Sequence, residues 1–292
     1  MRRRLFLPLV VALCVSCQTA SPSEERVAAA PSMSSPSETP EPQPSSSPTR
    51  TDNPFVTARP AWLGERVLPR GDGIFAEALP TPPILRNRRF ATIDILPPPK
   101  SRRFEARMVP VPDDVLARSS WRPACPVAPD ELAYITMSFW GFDRERHTGE
   151  MLVNAAVAGD VVSAFGNLYE TRFPIEEMRV ATLKEMREWE TRPTGDTNLT
   201  SSFECRATTG GSNWSQHAYG LAVDINPFHN PYYRVNEVGP ELATAYTDRE
   251  WKRPGMIFEG DAVTSAFDAI GWGWGGRWSS LKDWMHFSLY GN

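Results

Sequence analysis

Two short stretches hold the chemistry of this chain, Ser215-Gln-His217-Ala-Tyr-Gly220-Leu-Ala222-Val-Asp224 and Asp283-Trp284-Met-His286. Between them they carry two imidazoles and two carboxylates, a set that suits one catalytic zinc. A hydrolytic zinc takes three protein ligands from His and Asp/Glu side chains and leaves a fourth position for water, with a carboxylate nearby to accept that water's proton. His217, Asp224 and His286 are the candidate ligands, and Asp283 is the candidate base.

The flanking residues say how these side chains must be held. In Leu221–Ile225 the bulky apolar residues alternate, so a strand sends Leu221, Val223 and Ile225 inward and turns Ala222 and Asp224 to the other face. In Trp284–Leu289 the same period buries Met285, Phe287 and Leu289 and places His286 opposite, with Trp284 and Ser288. Gly220 allows a tight turn between His217 and the first strand. Asp283 falls in or beside the turn before the second strand, where a short side chain can reach a metal's water without ligating.

These residues resemble the zinc peptidases of the D-alanyl-D-alanine carboxypeptidase and L-alanyl-D-glutamate endopeptidase group, the VanY-type peptidases, which cut bacterial cell-wall stem peptides. The resemblance covers about residues 120 to 292 and takes in Phe139–Phe142, His147–Glu150, Phe203–Arg206, Trp214–His217 and Gly271–Gly276. Those blocks look like the extracellular bacterial branch. The resemblance implies zinc as cofactor with His217, Asp224 and His286 as ligands, Asp283 as general base, and Arg206 as the cation that steadies the substrate carbonyl oxygen. It also implies peptidoglycan stem peptides as substrate. Carboxypeptidase members usually carry Glu before the last ligand; Asp283 matches the L-alanyl-D-glutamate cleaving members and favours that bond. D-Ala-D-Ala trimming is the alternative. A zinc- or cell-wall-binding lipoprotein without turnover is a rival of another class, disfavoured because a binder does not need Asp283.

Other conspicuous residues read as structural. His147 is expected in a hydrogen-bonded turn and His229 in a loop; Trp272, Trp274, Trp278 and Trp284 alternate with glycine as core and edge packing does. Arg206 has a second reading as the ion-pair partner of Glu204. The chain has no His-Glu-x-x-His helix, phosphate-cradling glycine loop or Gly-x-Ser-x-Gly elbow.

Met1-Arg-Arg-Arg4 and the apolar run Leu5–Val15 read as a secretory signal, too short to span a membrane. Cys14-Val-Ser-Cys17 resembles a lipoprotein processing box, which makes residues 1–17 the signal, Cys17 the lipidated residue and the protein exported and membrane-tethered through that anchor alone. Residues 18–53, rich in Ser and Pro and without aromatics, cannot bury enough apolar surface to fold and read as a disordered tether. Residues 54–118 mix Pro with short extended runs such as Ala91–Leu96 and are expected to wrap the peptidase domain, 119–292, as an extension. A net charge of −4 gives no support for a nucleic-acid or anionic-membrane partner; a monomer is expected. Cys125 and Cys205, the cysteines outside the signal, are expected to pair in an oxidising compartment.

Helical periods run from Val157 to Leu168, after Asn154 as cap, and from Ala262 to Ile270, before Gly271. With strands expected at 175–180, 221–225 and 284–289, the fold class is α+β, a small antiparallel sheet with flanking helices. The resemblance implies the same hedgehog/D-Ala-D-Ala-peptidase-like fold.

Overall fold

A computed structural model describes residues 53–71 and 73–292. The signal, Cys17 and nearly all of the Ser/Pro-rich tether lie outside the described residues. In chain order the elements begin with β1 (Ala106–Pro110), α1 (Asp113–Arg118), β2 (Leu132–Trp140), β3 (Arg146–Asn154) and α2 (Ala158–Glu170). There follow β4 (Glu177–Met178), α3 (Leu183–Thr191), β5 (Leu199–Thr200), β6 (Ala222–Asp224), β7 (Tyr232–Arg234) and β8 (Glu237–Gly239). The last are α4 (Ala262–Ala269), β9 (Gly273–Trp274), β10 (Lys282–Asp283) and β11 (His286–Ser288). The fold is α+β, built on small antiparallel sheets ordered β1-β2-β3, β10-β7-β8 and β6-β11-β9, beside a parallel pair, β4-β5.

The two helices expected from periodicity form, and their ends follow from side chains. The Asn154 carboxamide accepts from the Ala156 amide at the turn that leads into α2. Asp261 caps α4 by accepting from the Val263 and Thr264 amides, both at 2.9 Å. The apolar stripe Val161, Ala164, Phe165 and Leu168 packs with Val263, Ala266 and Phe267 into the main core. Phe267 stacks on Phe287 of β11 with ring centroids 4.1 Å apart, which ties α4 to the strand that carries His286.

The largest element pair, the β2–β3 hairpin, is absent from the strands expected from sequence. Ala133, Ile135, Met137 and Phe139 face the main core, while Leu132 and Tyr134 join a second apolar cluster on the other side. With both faces covered, the run shows little of the polar alternation that marks a half-exposed strand. The expected strand at 175–180 shrinks to Glu177–Met178, paired in parallel with Leu199–Thr200. The expected strand at 284–289 is also cut short. Trp284 and Met285 form a turn and the ladder begins at His286. The two-residue period therefore fails there: Trp284 joins the main core, and Met285 lines the cleft described below.

The 54–118 segment packs as part of the same body. β1 pairs along β2, Leu85 and Phe90 share a core with Phe228 and Tyr246, and Arg88 holds Glu176 in a buried ion pair at 2.8 Å. All described residues fall in one compact unit. Cys125 and Cys205 are bridged, with Cα atoms 5.7 Å apart.

Candidate metal centre

His217 sits on a single 3-10 turn, Gln216–Tyr219, whose cap Ser215 accepts from the His217 amide. Gly220 ends that turn in the left-handed region at φ 66°, and a Cβ there would lie 2.5 Å from the Asn154 amide nitrogen. No other residue fits both demands. The turn aims His217 at β6 and β11, where Asp224 and His286 are direct partners across the antiparallel ladder.

The three side chains converge on one point. His217 Nε2 lies 3.2 Å from His286 Nδ1 and 3.3 Å from Asp224 Oδ2, and His286 Nδ1 lies 3.1 Å from Asp224 Oδ1. All three residues are buried, none more than 8% exposed. His217 Nδ1–H donates to the Ser202 carbonyl at 2.7 Å, which leaves a lone pair on Nε2 facing the cluster. Burial alone would raise the Asp224 pKa, but the His217 and His286 imidazoles outweigh it and hold the carboxylate well below its usual range. Burial would lower His217; Asp224 outweighs it and raises it.

This donor set fits a metal ion. Metal bonds of about 2.0–2.1 Å in a tetrahedron put neighbouring ligand atoms about 3.3 Å apart, close to the separations found. Among the described residues, the group His217, Asp224 and His286 is the cluster able to hold an ion. Two buried polar atoms here, Asp283 Oδ1 and His286 Nε2, have no partner among the described residues.

Asp283 ends β10, which is held against β7 by pairing with Tyr232. Its Oδ1 is shut off from solvent. Burial, with the charge of Asp224 added, pushes its pKa up to about 7. Gly275 packs against it so closely that a Cβ there would lie 2.9 Å from the Asp283 Cβ. Arg206 forms the ion pair of one sequence reading, with Nε donating to Glu204 at 2.8 Å, and its side chain lines the same cleft as Asp224 and Asp283. Burial would lower its pKa; Glu204 outweighs this and keeps it raised.

The cleft has a volume of about 400 Å³. It is lined by Asp224, Asp283 and Met285, by Met186 and Trp189 of α3, and by Ile74 and Phe75 of the extension. Sequence reasoning missed α3 and the extension as walls. The capping box Thr182-Leu-Lys-Glu185, with Glu185 reaching back to the Thr182 amide, is a legible sign of α3. Nothing in the sequence announces Ile74 and Phe75.

Of the other conspicuous residues, Trp278 alone is in ring contact with a candidate ligand. His147 sits in β3 and not in a turn, between Asp94 at 2.7 Å and Asp143 at 3.1 Å. His229 is buried against Asn198 and the Arg88 carbonyl. Trp272, Trp274 and Trp284 are core residues, and Trp278 lies over His286 at 5.5 Å between ring centroids.

Residues 209–289 match the family model described as D-alanyl-D-alanine carboxypeptidase. The matched stretch contains His217, Asp224, Asp283 and His286 and stops short of Arg206. It is shorter than the resemblance drawn from sequence, which begins near residue 120. The match supports a peptidase acting on cell-wall peptides. No solved structure matches the chain.

Proposed function

We propose that the chain is a zinc-dependent peptidase that hydrolyses peptide bonds in peptidoglycan stem peptides, with the L-alanyl-D-glutamate bond as its target. The observation that carries the reading is the convergence of His217 Nε2, His286 Nδ1 and the Asp224 carboxylate, all within 4.8 Å of one another, beside a cleft lined by Asp224 and Asp283. Zinc at such a site supplies Lewis acidity and a water of lowered pKa. In this reading Asp283 accepts the proton of the attacking water on its carboxylate and returns it to the leaving amine nitrogen as the C–N bond breaks. Arg206 Nη2 makes no hydrogen bond among the described residues, which leaves it available to a carbonyl oxygen that gains negative charge.

The bond choice rests on Asp283 standing where carboxypeptidase members of the resembling group carry Glu. The Cys125–Cys205 bridge supports an oxidising compartment, in keeping with export and with an anchor at Cys17. The test is mass spectrometry of products from a synthetic stem pentapeptide ending in D-Ala-D-Ala. A product beginning at D-glutamate is expected. Free D-alanine with the L-Ala-D-Glu bond intact would transfer the assignment to a carboxypeptidase, and no cleavage with zinc bound would favour a binding protein.

A further inference from the structure

Five carboxylates line the cleft, those of Glu190, Glu204, Asp224, Glu241 and Asp283, against the single guanidinium of Arg206. A divalent ion leaves this lining net negative. Four of the five are accounted for. Glu204 accepts from the Ser201 hydroxyl and from Arg206, both at 2.8 Å; Asp224 meets the two imidazoles; Asp283 is the proposed base; Glu190 is an exposed residue on the rim. Glu241 has no such role.

Glu241 is 94% buried by residue, with 6% of its surface exposed. Its Oε1 accepts from the Ala76 amide at 2.8 Å, no further hydrogen bond from another residue reaches the carboxylate among the described residues, and the residue borders the cleft. Burial, together with the charge of Asp196, raises its pKa. A carboxylate in that position gains from a cation. The segment that supplies the Ala76 amide also supplies the apolar wall beside it. Ile74 is pinned by its amide to Glu237 at 3.2 Å, and Phe75 leans on Tyr232 with ring centroids 5.0 Å apart. An apolar wall ending in a carboxylate without a cationic partner matches an aliphatic chain ending in a cation.

We infer that Glu241 is a specificity-determining residue that binds a primary ammonium group carried on an aliphatic stem of the substrate, such as the side chain of a diamino acid, with Ile74 and Phe75 against its methylenes. The inference rests on the proposed cleft being the peptide-binding site, and it names the substrate chemistry of that site. It also gives the extension a share in recognition.

Binding is measured by titration calorimetry on the full chain carrying Asp283→Asn, so that turnover does not confound it. The probes are a stem peptide with lysine at its third position, the same peptide acetylated at Nε, and the same peptide acetylated at its terminal amine. Nε acetylation is expected to weaken binding about 10- to 100-fold, the worth of one charge-assisted hydrogen bond, while terminal acetylation leaves it unchanged. Adding Glu241→Gln, which keeps an oxygen for the Ala76 amide, is expected to abolish the difference between the first two peptides. Equal affinity for the lysyl and Nε-acetyl peptides in the chain with Glu241 intact overturns the inference, and needs no folded Glu241 variant. So does discrimination that survives Glu241→Gln. Failure of the intact enzyme to cut any of the peptides would count against the proposed hydrolysis and not against this binding result.

Discussion

His286 stands directly across the β6–β11 ladder from Asp224, and their side chains meet at 3.1 Å. Antiparallel partners share a face, so the ladder that closes the core also delivers an imidazole and a carboxylate to one point. His217 alone depends on a loop. Its turn is fixed by the Ser215 cap, by Gly220 in the left-handed region and by the bond from Nδ1 to the Ser202 carbonyl.

Removing any one of the three should therefore empty the site without unfolding the sheet. His217→Ala, Asp224→Ala and His286→Ala are each expected to fall from about one zinc per chain to a small fraction of that, because two remaining ligands hold the ion poorly. Elemental analysis after dialysis reads the content directly. Stoichiometric zinc in the three variants would dissolve the ligand set.

Asp283 should separate from the ligands. Asp283→Asn is expected to retain zinc and lose activity by about 100-fold or more, the usual cost of losing a general base. Gly275→Ala reaches the same carboxylate indirectly, since the new Cβ would lie 2.5 Å from the Asp283 carbonyl oxygen and 2.9 Å from its Cβ. It is expected to lower kcat with zinc content intact, as displacement of a catalytic group by about 1 Å costs on the order of 100-fold. Unchanged kcat in both variants would take Asp283 out of the reaction.

The convergence of His217, Asp224 and His286 was more legible than its setting. Val223, Ile225 and Phe287 occupy the core as their alternation implies, and Asp224 and His286 face together. The alternation misleads at Trp284 and Met285, because a turn before His286 resets the register and only the tertiary structure decides where a strand begins. The β2–β3 hairpin lacks contrast between faces. The cleft walls come from residues far apart in sequence, with Ala76 bonded to Glu241, and no local pattern encodes such a pair. Arg206 could not be assigned between ion pair and cleft from sequence, and the fold gives it both places.

The disulfide bears on the cleft as well as on stability. Cys205 adjoins Arg206, and its amide is held by the Ser120 hydroxyl at 3.1 Å. The bridge spans 80 residues, and on the chain-entropy account the loss of a loop of that size costs about 4 kcal/mol as an upper figure. The paired Cys125→Ser and Cys205→Ser variant is expected to melt at a lower temperature and to show a higher KM, from a looser Arg206 wall, at similar zinc content. A melting transition and KM equal to those of the native protein would leave the bridge without either role.

His229 gives stability a dependence on pH that is separate from the metal site. Its Nδ1 lies 3.1 Å from the Asn198 Nδ2, which donates to it, and its Nε2–H donates to the Arg88 carbonyl at 2.9 Å, so the neutral ring is the form this pocket satisfies. Burial, with the nearby Arg88 and Arg253, lowers its pKa to about 4, against the partial opposition of Glu176. The unfolded chain titrates near 6.5. Between those values the unfolded state binds the proton and the folded state does not, so the contribution is complete above about pH 6.5 and is lost as pH falls towards 4. The shift corresponds to about 3 kcal/mol at most. Urea unfolding of the native chain and of His229→Gln at pH 7 and at pH 4.5 isolates this effect from the carboxylates common to both. The variant is expected to be the less stable at pH 7, and the gap to narrow at pH 4.5 as the native chain loses the His229 contribution. An equal gap at the two pH values would show that His229 does not titrate differently on folding.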